Sequence, residues 1–354
     1  MQTDRIHVWH VGARGGYTPF DFPETLDLCF SITFFDEGKA KPTKVSVGSE
    51  GRSTGAEIRF LPALLWATQS ALDFRETMCP YGSGFKPLNP QFGHWYIFGN
   101  PDIDYVLGQA CAPVAIQTVE AATLDSIPVS PDWPRPQVLV IDAQGAGYEI
   151  ISGARELCSE SVDAVIVELE LLPFFDKMPS ISTVLPALLE SGFYFARFVA
   201  EENPWASPFR TALGLRSKPF MGSADGVFLR DPRQIMSQSS PSRAVKYAIL
   251  CLCLGFVDIA SEVIKSIEEQ SLAASDGLID KIALDFASAV ANIEALFPKA
   301  FGESREASGY WSALRQTTTT PVEAFLHRWG FKVVAEEVRA LRMKQLDLLA
   351  GGQK

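Results

Sequence analysis

The residues best suited to chemistry stand in one stretch, Val138-Leu-Val-Ile-Asp142-Ala-Gln144-Gly145-Ala-Gly147-Tyr-Glu149. A short apolar run ends there on a carboxylate and a glycine turn, and a helical pattern begins directly after it. Ligands of open parallel sheets bind just beyond the carboxyl ends of the strands, so an acid at that point suits chemistry. The plainer alternative is that Asp142 caps the next helix. Asp142 and Gln144 share a face if the strand stays extended that far, although Gly145 predicts a bend. Asp142 has the chemistry of a general base, of an orienter for a substrate hydroxyl, or of a ligand to a divalent metal.

A second pair of carboxylates, Glu168 and Glu170, lies on the apolar run Val162–Leu172 and shares one face of a predicted strand. Such a pair suits a hydroxyl-rich ligand, or else ion pairs with Arg197 or Arg210. Gly12-Ala13-Arg14-Gly15-Gly16 follows another strand candidate, Ile6–Val11, and has the physics of a nucleotide turn. Glycines accept positive φ and let a ligand approach the backbone. Asp36 ends the next β-rich run, Cys29–Phe35, where a carboxylate can accept from both hydroxyls of a ribose. Arginine at position 14 breaks the dinucleotide pattern G-x-G-x-x-G, which disfavours a nicotinamide-dependent oxidoreductase. Of the four histidines (7, 10, 94 and 327), His94 sits in an aromatic-rich loop, and none falls into a Ser-His-Asp or Cys-His order.

The elements around these residues alternate. Beyond those named, Glu57–Trp66, Val114–Val119, Phe193–Val199 and Gly226–Leu229 are strand candidates, with Pro62 near the end of the first. Residues Glu149–Leu157 and Thr183–Leu189 have helical spacing. Lys39–Ala56 is a weak helix or a loop, and residues 77–101 form a long loop of the kind that binds or covers ligands. Alternation of this sort predicts βαβ units, hence an α/β chain with a mainly parallel sheet and helices on both faces. From Ser242 to about Phe297, and again from Pro321 to Leu349, helical spacing takes over. The expected division is residues 1–235 for the sheet domain and 236–354 for a C-terminal helical region.

Bulk properties narrow the function. The net charge of −11 is concentrated in residues 1–234, with 18 basic and 28 acidic side chains, and no basic stripe offers itself to phosphates. A nucleic-acid partner is therefore not expected. No run approaches the length of about 18 apolar residues that a membrane span needs. The absence of a basic-then-apolar leader points to the cytoplasm. Six scattered cysteines read as small apolar residues in a reducing compartment, not as a zinc site or a disulfide framework.

Taken in order, these segments resemble the FkbM family of S-adenosylmethionine-dependent methyltransferases. The resemblance is carried by Val138–Ala154, by Thr123-Leu124-Asp125-Ser126, by Ala164–Phe175 and by Gly12–Gly16. Phe85-Lys-Pro-Leu-Asn89 and Ala224-Asp-Gly-Val-Phe-Leu-Arg230 complete it, so that it spans residues 6–232. It implies a class I methyltransferase, a Rossmann-like seven-stranded sheet whose last strand is antiparallel. It also implies O-methylation of a hydroxyl on a sugar, glycan or secondary-metabolite acceptor. Carried over by position, Gly12, Ala13, Arg14 and Gly16 form the cofactor loop and Asp36 takes the ribose hydroxyls. Asp142 and Gln144 line the transfer site, and Glu168 supports it from the next strand. A divalent metal and a homo-oligomer both stay open. His10, Gly84 and Gly147 depart from the family pattern, which admits a second reading: a methyltransferase fold that binds a ligand or partner without turnover.

Overall fold

The computed structural model describes residues 5–12, 16–37, 45–48, 51–97, 106–130, 133–206, 220–267, 277–296 and 319–351. The chain divides into two compact units. One comprises residues 6–20 and 30–231; the other comprises 1–5, 21–29 and 232–354.

The first unit is built on an eight-stranded sheet. Its members are β1 (Ile6–Val11), β3 (Phe30–Asp36), β6 (Glu57–Pro62), β9 (Tyr96–Ile97), β11 (Val138–Ile141), β12 (Ala164–Glu170), β13 (Phe193–Ala206) and β14 (Phe220–Arg230). Their order is β6-β3-β1-β11-β12-β14-β13-β9. The pairs β6·β3, β3·β1, β1·β11 and β11·β12 are parallel, whereas β14 runs antiparallel to both of its neighbours. The central strands read as continuous β-branched and aromatic runs because parallel strands are buried on both faces: all four residues of β11 and the first four of β12 are buried.

Alternation along the strands assigns Trp9, Val11, Leu139, Ile141, Val165, Val167 and Leu169 to one face. There they share a core with Ile150 and Ile151 of α2 (Gly147–Ser152), Leu157 of α3 (Arg155–Glu160), and Val184 and Leu188 of α4 (Ile181–Glu190). These helices make the β11–β12 and β12–β13 crossovers. The connections from β1 to β3 and from β3 to β6 contain no α-helix among the described residues. Among the described residues of this unit, α2, α3 and α4 pack together on one face of the sheet.

Two small sheets complete the unit. One joins β7 (Leu64–Leu65), β10 (Pro113–Ala122) and β8 (Ser70–Thr77). The other joins β2 (Tyr17–Thr18), β4 (Ser46–Val47) and β5 (Arg52–Ser53). The single strand expected over Glu57–Trp66 is split at Pro62 and Ala63, and its end transfers to the β7-β10-β8 sheet. The expected helix over Glu149–Leu157 breaks at Gly153, where a Cβ would lie 2.3 Å from the Trp66 carbonyl oxygen.

The second unit is helical: α5 (Pro232–Gln238), α6 (Pro241–Cys253), α7 (Val257–Lys265), α8 (Leu278–Leu296), α9 (Pro321–Arg328) and α10 (Lys332–Gly351). Tyr247, Phe286, Phe325 and Phe331 are buried in it. Thr320 and Glu323 form a reciprocal capping box that starts α9, and Glu323 also pairs with Arg342 at 3.0 Å. Asp21–Cys29 belongs to this unit despite its place in sequence, and Thr25 donates a hydrogen bond to the Trp329 carbonyl. No described helix is long and apolar enough to cross a membrane.

Arg230 closes the amino-terminal end of the sheet. It donates to the carbonyls of Val162 (2.9 Å) and Cys158, stands 3.8 Å from the fully buried Asp163, and lies 4.5 Å over the Phe193 ring. Removing one partner of a buried ion pair costs about 3 kcal/mol. Arg230→Met is therefore expected to lower the urea midpoint by that equivalent without changing the slope. An unmoved midpoint would show that this staple contributes nothing.

Candidate functional site

Strand order reverses around β1: the chain leaves β1 for β3 on one side, while β11 flanks it on the other. Open α/β sheets bind ligands at such a switch point, beyond the carboxyl ends of the strands. A cleft enclosing about 720 Å³ of empty space, part of it open to solvent, lies there. Val11 ends β1 and Gly12 follows it, Phe35 and Asp36 come from β3, and Asp142, Ala143, Gln144, Ala146 and Ile150 from the turn after β11 and from α2. The opposite wall is largely apolar, with Leu64, Leu65, Phe74, Pro80, Tyr81 and Phe85.

Three backbone contacts pin the strand tips. Gly12 N–H donates to Phe35 O at 3.1 Å, and Asp142 N–H donates to Val11 O at 3.0 Å. Gly12 has φ +90°, and a Cβ there would lie 1.6 Å from the Asp142 carbonyl oxygen. The glycine is thus required by the neighbouring strand, whatever ligand sits above it. After Ile141 the chain turns at once: Gln144 (φ 46°) and Gly145 (φ 78°) are both left-handed, an uncommon conformation for glutamine. Asp142 and Gln144 therefore reach the cleft through a turn, not along an extended strand.

The register Ile141↔Val167 sets Asp142 beside Glu168, and Glu168 faces Asp225 of β14. Burial first, opposed by a hydrogen bond with Glu168, raises Asp142 to about 6. Glu168 is raised well above the ordinary carboxylate range by burial, then by Asp142, Glu170 and Asp225, against a hydrogen bond with Ser223. Its Oε2 is buried without a hydrogen-bond partner. Burial also raises Glu170 to about 7, against the backbone N–H groups of Glu170 and Gly145 and the charge of Lys86, while Asp142 adds to the rise. Burial thus favours the protonated form of all three carboxyls.

Lys86 ties this cluster to the cleft wall. Its ammonium donates to Glu149 Oε1 at 2.6 Å and to the Lys177 carbonyl at 3.2 Å, and lies 5.7 Å from the Trp66 ring. Phe85 packs edge-on against Trp66 and Phe74 at 5.3 and 5.6 Å, so the wall is braced by aromatic contacts.

The residues singled out in sequence separate as follows. Gly12, Asp36, Asp142 and Gln144 line the cleft, and Glu168 supports it through Asp142. Asp36 accepts the Glu37 N–H at 2.6 Å. Gly16 is buried, its carbonyl accepts the Ser46 N–H at 2.8 Å, and it does not line the cleft. Ala13, Arg14 and Arg210 lie outside the described residues. His94 is exposed and away from the cleft. His10 is buried beside Phe34, and burial lowers it to about 3, so it carries no charge near neutral pH. At Gly147 a Cβ would meet Val167 Cγ2 at 3.0 Å, so a side chain there would require Val167 to give way. Part of the 77–101 loop lines the cleft, as loop composition suggested.

Of the cleft wall, Phe74 escaped the sequence reading, although the alternation in Ser70–Thr77 could have marked its strand. Among the described residues, no group of three or more His, Cys, Asp or Glu side chains is arranged to hold a metal ion. Comparison with protein-family models, curated proteins and solved structures gives no match.

The raised carboxyls give stability a definite pH dependence. A group whose folded pKa exceeds its unfolded value contributes most below the unfolded value and loses that contribution as pH rises through the folded one. For Glu170 the window runs from the ordinary carboxylate range to about 7. Glu170→Gln is expected to match the wild type in Tm at pH 4 and to exceed it at pH 8. Parallel Tm curves across that window would show that Glu170 is not held protonated by the fold.

Proposed function

We propose that the chain is an S-adenosylmethionine-dependent methyltransferase, similar to the FkbM family, that methylates a hydroxyl on a small-molecule, sugar or glycan acceptor in the cytoplasm. The observation that carries this reading is one cleft at the switch point, with a carboxylate at the β3 tip and a carboxyl pair at the tips of β11 and β12. The antiparallel last strand, β14, suits a class I methyltransferase sheet.

The cofactor would supply an electrophilic methyl group; the chain's own residues do the rest. Asp36 accepts from ribose hydroxyls. The apolar wall covers the adenine and keeps water from the sulfonium. Asp142 takes the proton of the acceptor hydroxyl, and Glu168, which holds its own proton, orients Asp142 by donating to it. Gln144 offers an amide to the acceptor. Holding the acceptor oxygen in line with the methyl carbon is the larger contribution, since sulfonium transfer needs little acid–base chemistry. No step is assigned to a metal.

The neutral, buried His10, standing where the family has an acid, favours a second reading: a fold that binds the cofactor without turnover. Calorimetry with S-adenosylhomocysteine, together with transfer of a labelled methyl group, separates the two. Asp36→Ala is expected to weaken binding about tenfold or more, the equivalent of one charge-assisted hydrogen bond; unchanged affinity removes Asp36 from the site. Asp142→Asn is expected to keep affinity and slow transfer about a hundredfold or more. In the wild type the rate should rise as pH passes about 6. Full activity of Asp142→Asn at all pH values would contradict its role as proton acceptor.

A further inference from the structure

Two thiols meet behind the wall of the cleft. Cys79 precedes the tight turn Pro80–Gly82, whose Pro80 and Tyr81 line the cleft. Cys111 follows the short helix α1 (Leu107–Ala110). The antiparallel β8–β10 ladder ends with Thr77 opposite Pro113, and two further backbone bonds link the segments beyond it. Met78 N–H donates to Ala112 O at 3.0 Å, and Cys79 N–H donates to Ala110 O at 2.9 Å. These bonds bracket Cys111 and set Cys79 beside it. The Cys79 thiol lies near enough to act on the Cys111 thiol electrostatically, and a disulfide spans Cα separations of about 4.4–6.8 Å.

Neither thiol is in a disulfide, and both are partly exposed, as is Cys253, whereas Cys29, Cys158 and Cys251 are buried. The expectation that the cysteines are only small core residues fails for this pair. The Cys111 sulfur lies close beside the turn, since a Cβ on Gly82 would lie 3.2 Å from it.

We propose that Cys79 and Cys111 form a reversible dithiol–disulfide site that alters the packing of the cleft wall, oxidised by a low-molecular-weight disulfide such as oxidised glutathione. Cys79 attacks first, because burial, aided by Cys79 itself, pushes the Cys111 thiol up to about 11. The Cys79 thiolate forms a mixed disulfide and releases one glutathione thiolate. Cys111 then gives up its proton and attacks the Cys79 sulfur, breaking the mixed disulfide and releasing the second glutathione. Two protein thiols are oxidised, one glutathione disulfide is reduced, and the two cysteine protons end on two glutathione thiols. The Cys111 sulfur swings off Gly82, so the packing beside Pro80 and Tyr81 changes.

The test equilibrates the full chain with mixtures of oxidised and reduced glutathione, then blocks free thiols and maps peptides by mass. The expected product is a 79–111 cross-linked peptide lacking two hydrogens, reversed by dithiothreitol, with Tm raised by roughly 5 °C. Cys111→Ser should instead accumulate glutathione on residue 79. Separate adducts on both cysteines, with no cross-linked peptide at any ratio, would overturn the site. Hydrogen exchange over residues 80–85 reads the wall without any ligand. A change on oxidation is expected, and unchanged exchange overturns the coupling even if the cofactor assignment stands.

Discussion

The site depends on a contact too close for any side chain. Gly12 and the carbonyl of Asp142 approach so nearly that a Cβ at position 12 would lie 1.6 Å from that oxygen. The two bonds beside it, from Gly12 to Phe35 and from Asp142 to Val11, lock the tips of β3, β1 and β11 together. That lock fixes where Asp36 and Asp142 stand on either side of the cleft. It also forces the early turn after Ile141 that brings Gln144 forward. Rigid strand ends hold a site more tightly than loops do, which is what transfer between two positioned atoms requires.

The second constraint is electrostatic. Carboxyls at the tips of β11 and β12 converge at one end of the sheet, where burial disfavours the charged forms of Asp142, Glu168 and Glu170. The cluster persists by keeping protons, above all on Glu168, and by its proximity to Lys86. Pairs of titratable groups pushed to different pKa values are the usual mark of acid and base roles. On the proposed function, Glu168 donates the hydrogen bond and Asp142 accepts the proton. Lys86 is itself tied to α2 and to the segment after β12, so the wall of the cleft and the acid cluster are mechanically one assembly.

Much of the central sheet was legible because buried parallel strands leave apolar, β-branched runs such as Val138–Ile141 and Ala164–Val167. Asp142 was legible because it ends such a run before glycines. What stayed hidden depends on partners distant in sequence. Gly153 breaks a helix because the Trp66 carbonyl occupies its Cβ position, and nothing near residue 153 announces Trp66. Ser70–Thr77 is half-exposed, so its strand character rests on pairing with β10 across the intervening loop. β14 extends well before Gly226, through Met221 and Ser223, because β12 and β13 offer hydrogen bonds on both sides. Asp21–Cys29 joins the helical unit through contacts such as Thr25 with Trp329, a pairing no local pattern encodes. For the site, the Glu168–Glu170 pair was visible, yet its meeting with Asp142 needed the β11–β12 register.

The most direct test of the central claim is a crystal structure of the chain grown with S-adenosylhomocysteine. The account predicts one nucleoside in the cleft, its ribose hydroxyls on the Asp36 carboxylate and its sulfur turned toward Asp142. An unfilled cleft at saturating ligand, or a nucleoside bound elsewhere with Asp36 and Asp142 untouched, would contradict it.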